Sequence, residues 1–191
     1  SDSSTRPDCQ LAQLACRHIE KGMRVYLDAD LLSLVLVSQL DGRTCTLISN
    51  APELLTKLSA STLSHQLICP GGVLNKECQL LDSPASLQSL QEACKPDIAL
   101  LCPPALRSDV AAYRHPVQAA WAQAAAEAAT KVLIMVPSQA LYAHAPHAFA
   151  LPQNCTIITE NNLPPHFQHP DTELIPYISA EDLQQADGFD Y

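Results

Sequence analysis

Glycine is scarce, with five in 191 residues, at positions 22, 42, 71, 72 and 188. So few glycines leave no G-x-G-x-x-G fingerprint and no Walker loop, which argues against a dinucleotide or nucleoside-triphosphate enzyme. No G-x-S-x-G is present, so the common serine-hydrolase elbow is missing as well. No apolar run approaches the ~18 residues that a membrane span needs. Basic residues are the other deficit: 11 Lys and Arg stand against 20 Asp and Glu, a net charge of −9. Neither Lys nor Arg occurs after Lys131, whereas Glu160, Asp171, Glu173, Glu181, Asp182, Asp187 and Asp190 follow it. Gripping nucleic-acid phosphates takes clustered cations. This chain is therefore not expected to bind DNA by itself, and its C-terminal part reads as an acidic surface.

What remains is the composition of a globular protein, 47% hydrophobic and 16% charged, enough to bury a core. The first residue is Ser rather than Met, and no signal-peptide pattern follows it. The expectation is a cytoplasmic protein, and a chain that is one piece of a longer one. Eight cysteines fall at 9, 16, 45, 69, 78, 94, 102 and 155, with no C-x-x-C among them. They are expected as reduced thiols. Cys45, Cys69 and Cys102 lie in or at the ends of apolar runs, where a thiol packs as a small hydrophobe. The pairs His144/His147 and His166/His169 have no Cys neighbour at ligand spacing. They read as exposed loop residues rather than zinc ligands, and neither a metal nor a cofactor is expected.

Seven short apolar runs read as strands: Arg24–Leu27, Cys45–Ile48, Gln66–Cys69, Asp97–Cys102, Val132–Val136, Thr156–Thr159 and Glu173–Tyr177. Several lack strict alternation, which marks strands buried on both faces. Helical patterns lie over Cys9–Lys21, with Gly22 as its stop, and over Leu31–Leu40, Pro52–Leu58, Ser86–Cys94 and the Ala-rich Pro116–Thr130. Gly72 to Pro84 interrupts this alternation as a hairpin or insertion. The pattern predicts an α/β fold, Rossmann-like, with a largely parallel sheet flanked by helices. Residues 1–8 are expected as a disordered or linker segment, 9–178 as a single domain, and 179–191 as an acidic tail, either solvated or a short docked helix.

Ligands of such sheets bind beyond the carboxyl ends of the strands. That rule selects Asp28 and Asp30 after the first run. It also selects Ser49 and Asn50, Gly71 and Gly72, Cys102 to Pro104, and Ser138. Each has a plainer reading. Asp28 and Asn50 would serve as helix N-caps, Gly71 and Gly72 as a tight turn, and Asp97 as a structural hydrogen-bonding residue. Trp121, the only Trp, belongs to the core or to a subunit interface, and the surrounding alanines favour the interface.

The strings Gly22-Met-Arg-Val-Tyr-Leu-Asp28, Thr46-Leu-Ile-Ser-Asn50, Leu67-Ile-Cys-Pro-Gly-Gly-Val-Leu74 and Pro96-Asp-Ile-Ala-Leu100, in this order and spacing, resemble the C-terminal sensor domain of DeoR-type bacterial transcriptional regulators. The resemblance runs from about Ala12 to about Phe167. It implies a fold similar to ribose-phosphate isomerases, glucosamine-phosphate deaminases and CoA transferases, a phosphorylated sugar or related effector, and homo-oligomerisation. It also implies that DNA is bound only through a winged helix-turn-helix lying N-terminal to this sequence. Several family positions are altered. Where the family has Asp-x-Gly-Thr-Thr-Thr, this chain has Asp28-Ala-Asp30-Leu31-Leu32-Ser33. Ser49-Asn50, Gly71-Gly72 and Asp97 are kept. Cys102 replaces a glycine, Gln118 and Ala122 stand where the family offers Glu and Lys, and Pro137-Ser138-Gln139-Ala140 stands for Asp-Ser-Ser-Lys. A carboxylate at Asp30 would repel phosphate.

Three readings follow. In the first, a sensor with drifted specificity binds a sugar, polyol or sugar phosphate through Asp28, Asp30, Ser33, Ser49, Asn50, Gly71, Gly72, Asp97, Gln118 and Ser138, without catalysis. In the second, a degenerate domain only oligomerises. In the third, a sugar-phosphate isomerase-type enzyme uses Asp28 or Asp97 as general base.

Overall fold

The computed structural model describes residues 6–61 and 64–188. Seven parallel strands form the central sheet: β1 (Arg24–Leu27), β2 (Thr46–Ile48), β3 (Gln66–Ile68), β6 (Ile98–Leu101), β9 (Lys131–Met135), β11 (Cys155–Glu160) and β12 (Thr172–Ile175). Their spatial order is β12-β11-β9-β6-β1-β2-β3. Each corresponds to one of the seven apolar runs. Every residue of β6 and β11 is buried, as are four of the five in β9, which is why these runs do not alternate. The edge strands β3 and β12 are only partly covered.

The flanking helices are α1 (Pro7–Cys16), α2 (Leu31–Ser38), α3 (Pro52–Ser59), α4 (Pro84–Ser89) and α5 (Pro116–Ala128). Four of them, α1, α3, α4 and α5, carry Pro in the first turn, where its missing N–H leaves no helical bond unmade and its fixed φ suits the helix. A further helix, α6 (Ala180–Gly188), covers part of the expected tail. Of the expected N-terminal linker, residues 1–5 lie outside the described residues, while Pro7 and Asp8 open α1. That helix ends at Cys16, six residues before Gly22, so Gly22 is not its stop. Gly22 instead donates its N–H to Thr44 O at the entry to β1.

Two small antiparallel sheets complete the fold. Gly72 to Pro84 contains a hairpin of β4 (Val73–Asn75) and β5 (Leu80–Asp82). The second sheet, β7 (Ala105–Arg107), β8 (Val110–Tyr113) and β10 (His147–Ala150), in the order β10-β8-β7, has no counterpart in the sequence reading. His147 therefore belongs to a strand rather than a loop. Among the described residues no helix is long and apolar enough to cross a membrane.

The core is continuous across the sheet and its helices. Cys16, Cys45, Cys94, Cys102 and Cys155 pack into it as small hydrophobes, whereas Cys69 is exposed, against expectation, with its thiol on Asn50 Oδ1. Trp121 is also inside, 0% exposed, and donates its indole N–H to Asp82 Oδ1 at 2.9 Å. The subunit-interface reading of this residue is corrected accordingly.

Candidate functional site

With β1 at the centre, the chain winds one way through β2 and β3 and the other way through β6, β9, β11 and β12. The direction reverses between β1 and β6. At such a switch point the loops leaving two neighbouring strands part and open a crevice. A cavity of about 210 Å³ opens there, lined by Asp28, Ala29, Asp30, Cys102, Pro104, Tyr113, Arg114 and Gln118. A second, of about 490 Å³, adjoins it over the ends of β6 and β9, and shares Asp30, Cys102, Pro104 and Arg114.

Asp28 forms the floor. It is 6% exposed. Its Oδ2 accepts from the Tyr113 hydroxyl at 2.6 Å and from Cys102 N–H at 2.9 Å, and its Oδ1 accepts from Ala29 N–H at 3.2 Å. Burial pushes its carboxyl up from 3.8 to about 6, and the charge of Asp30 adds to that, against the pull of the Tyr113 and Cys102 hydrogen bonds. Asp28 does not cap the helix that follows. That role falls to Asp30, whose Oδ1 accepts from Leu32 N–H at 2.9 Å at the start of α2. Ser33 is fully buried behind this turn and donates its hydroxyl to Asp28 O at 2.7 Å. Asp8, from α1, borders the second cavity; burial raises its carboxyl, and the charges of Asp30 and Glu160 raise it further.

The expected residues thus separate. Asp28, Asp30 and Gln118 meet in the first cavity, with Ser33 locking the backbone beneath. Pro137 and Gln139 reach the second cavity, while Ser138 turns inward, its N–H and hydroxyl both on Glu160 Oε1 at 2.9 and 3.1 Å. Ser49 is buried and accepts from Ala51 N–H. Asn50 does not cap α3, whose N-cap is Ala51. Its amide instead donates to Gly71 O and Leu81 O at 2.9 and 2.8 Å, and its carbonyl accepts from Gly71 N–H at 2.9 Å, tying the β4–β5 hairpin to the sheet. Asp97 lies at the opposite end of the strands, where it accepts from Arg24 N–H at 2.8 Å.

Gly72 likewise belongs to that hairpin. Its φ is +121°, and a Cβ there would stand 2.6 Å from the Asp82 backbone. Gly72→Ala should cost about 1–3 kcal/mol in urea unfolding, with the hairpin displaced. An unchanged unfolding midpoint would show that the hairpin gives way freely.

Tyr113 and Arg114 have no place among the residues selected from the sequence. Tyr113 ends the Ala-rich strand β8 and Arg114 follows it, and both precede the proline that opens α5. An aromatic and a cation just ahead of a helix start were the available signal. Arg114 is exposed and makes no hydrogen bond or ion pair among the described residues. Among those residues no group of three His, Cys, Asp or Glu could hold a metal ion.

A family model, the DeoR C terminal sensor domain, matches residues 9–161, most of the chain. No curated protein matches the sequence.

Proposed function

The chain belongs to the family of DeoR C-terminal sensor domains, and from that premise we propose that it is the effector-binding domain of a DeoR-type regulator of sugar metabolism, holding a small hydroxylated metabolite in the Asp28 crevice. The observation that carries this reading is Asp28 itself. A carboxylate is kept buried at the sheet's switch point, at a cost in desolvation, with Tyr113 and a backbone amide fixing its orientation. Folding gains nothing from ionising it there, so its use is in binding. Carboxylate oxygens accept from sugar hydroxyls, and Gln118 opposite offers both a donor and an acceptor. On this reading the domain performs no chemistry, a second copy of the chain is its oligomeric partner, and contact with DNA belongs to a part outside this sequence.

An isomerase-type reading has one observation in its favour: a carboxyl near 6 suits a general base. Two things weigh against it. Asp28 Oδ2 is engaged by two donors, and Asp97, the other candidate base, is at the far end of the sheet.

The test is thermal unfolding of the chain with a panel of free sugars, polyols and sugar phosphates. A ligand at about 100 times its Kd adds about 2.7 kcal/mol, which raises the melting temperature of a domain this size by several degrees. The expected result is a shift with at least one compound that Asp28→Asn abolishes. A shift that the variant retains would put the ligand elsewhere. No shift with any compound would leave an oligomerisation scaffold.

A further inference from the structure

The crevice carries opposite charges that are not paired with each other. Asp30 borders both cavities, Asp28 lines the smaller one and Asp8 the larger. Arg114 borders both cavities too. It forms no ion pair with these carboxylates or with any other among the described residues. Asp30 has one oxygen engaged by Leu32 N–H in capping α2, so the cap places a carboxylate, not a free row of amides, at the start of that helix. An anionic group entering there would meet Asp30 and Asp28 together. An ammonium would be drawn there, and an anion would be drawn to Arg114.

Building on the proposed effector site, we propose that its ligand is dipolar: a hydroxylated small molecule with a protonated amine read by Asp30 and an anionic group read by Arg114. Asp30 and Arg114 are then the specificity-determining residues, and each answers to one end of the ligand. This arrangement uses both unpaired charges. A ligand with an anion alone leaves Asp30 without a cation, and a neutral sugar leaves Arg114 idle. Charge-assisted hydrogen bonds of this kind are the strong ones, above all when the partner supplies a fork of donors, as arginine does.

Four probes that differ only in charged ends test the assignment: glucose, glucosamine, glucose 6-phosphate and glucosamine 6-phosphate, titrated calorimetrically into the full chain at pH 7.5. The expected order places glucosamine 6-phosphate tightest, with each charged end improving affinity about tenfold or more. Asp30→Asn should remove the advantage of the amine and leave that of the phosphate. The variant keeps a side chain that caps helices as well as Asp does, so α2 stays formed. Arg114→Gln, an exposed position, should remove the advantage of the phosphate and leave that of the amine.

Three results would overturn the proposal. Glucose 6-phosphate could bind as tightly as glucosamine 6-phosphate, glucose could bind as tightly as all the others, or one variant could abolish both advantages. Binding of none of the four, with the hydroxylated panel active against the wild type, would refute the dipolar ligand while sparing the effector site. Silence from every compound would remove the site itself and the proposal with it.

Discussion

Trp121→Ala should unfold about 3–5 kcal/mol more easily than the wild type, lowering the melting temperature by about 10 °C. The side chain is 0% exposed in the middle of α5, surrounded by the core, so truncation leaves a cavity the size of an indole. The cost has a second part. Asp82 Oδ1 loses the indole N–H that reaches it at 2.9 Å, and a carboxylate beside the Gly72 turn is left to find water. Trp121→Phe separates the two, since it fills most of the space and supplies no donor; it should lose less than the alanine variant while still falling below the wild type. Circular dichroism is the suitable probe, because the variants remove the only Trp. An interface role makes the opposite forecast: subunit dissociation with the melting of the protomer unchanged. That pattern would refute the core assignment.

The seven central strands were legible because burial on both faces leaves a plain chemical mark, runs such as Ile98-Ala-Leu-Leu101 and Val132-Leu-Ile-Met135 that are apolar at every position. Helix starts were readable where a proline stood at the first turn, as at Pro52 and Pro116. The sheet of β7, β8 and β10 left no such mark. Its strands are Ala-Leu-Arg, Val-Ala-Ala-Tyr and His-Ala-Phe-Ala, and alanine is poor in strand propensity. Pairing to one another, and the stacking of Tyr113 on Phe149 with ring centroids 6.2 Å apart, holds them. That gap had a consequence for the site. Tyr113 and Arg114 come from the end of β8, so the sequence placed Asp28 and Asp30 in the crevice and missed the two residues that β8 brings to it. The polar residues at the other strand ends do lie beyond the carboxyl ends, but position along the chain does not say which way a side chain turns. Asn50 had to choose between a helix cap and the carbonyls of Gly71 and Leu81. The hairpin, a tertiary feature, supplied both carbonyls. Asp28 and Asp30 exchanged roles for a similar reason: the residue nearer α2 was placed to cap it, which released Asp28 to face the crevice.

Stability of the wild type should fall by about 3 kcal/mol between about pH 3 and pH 7 through Asp28 alone. In the folded chain its carboxyl holds its proton up to about 6, against 3.8 for the free group. Well below 3.8 both the folded and the unfolded chain carry that proton and nothing is lost. As the pH rises, the unfolded chain releases it first, so folding must either retain a proton that solvent would take or bury a charge. The deficit is complete about one pH unit above 6. Other carboxylates contribute slopes of their own, so the measurement is the difference between the urea-unfolding curves of the wild type and Asp28→Asn across this range. The variant keeps an acceptor for Cys102 N–H and has no charge to bury. The difference should open between about pH 3 and pH 7 in favour of the variant and then stay constant; parallel curves would refute it. The same deficit bears on sensing. At neutral pH the crevice holds an ionised Asp28 that neither folding nor Tyr113 fully compensates, and a ligand that donates a hydroxyl to it recovers part of that energy on binding. A saturating ligand of this kind should therefore stabilise the wild type more at pH 7 than at pH 5, where Asp28 is already mostly protonated, whereas Asp28→Asn should gain nothing from it at either pH.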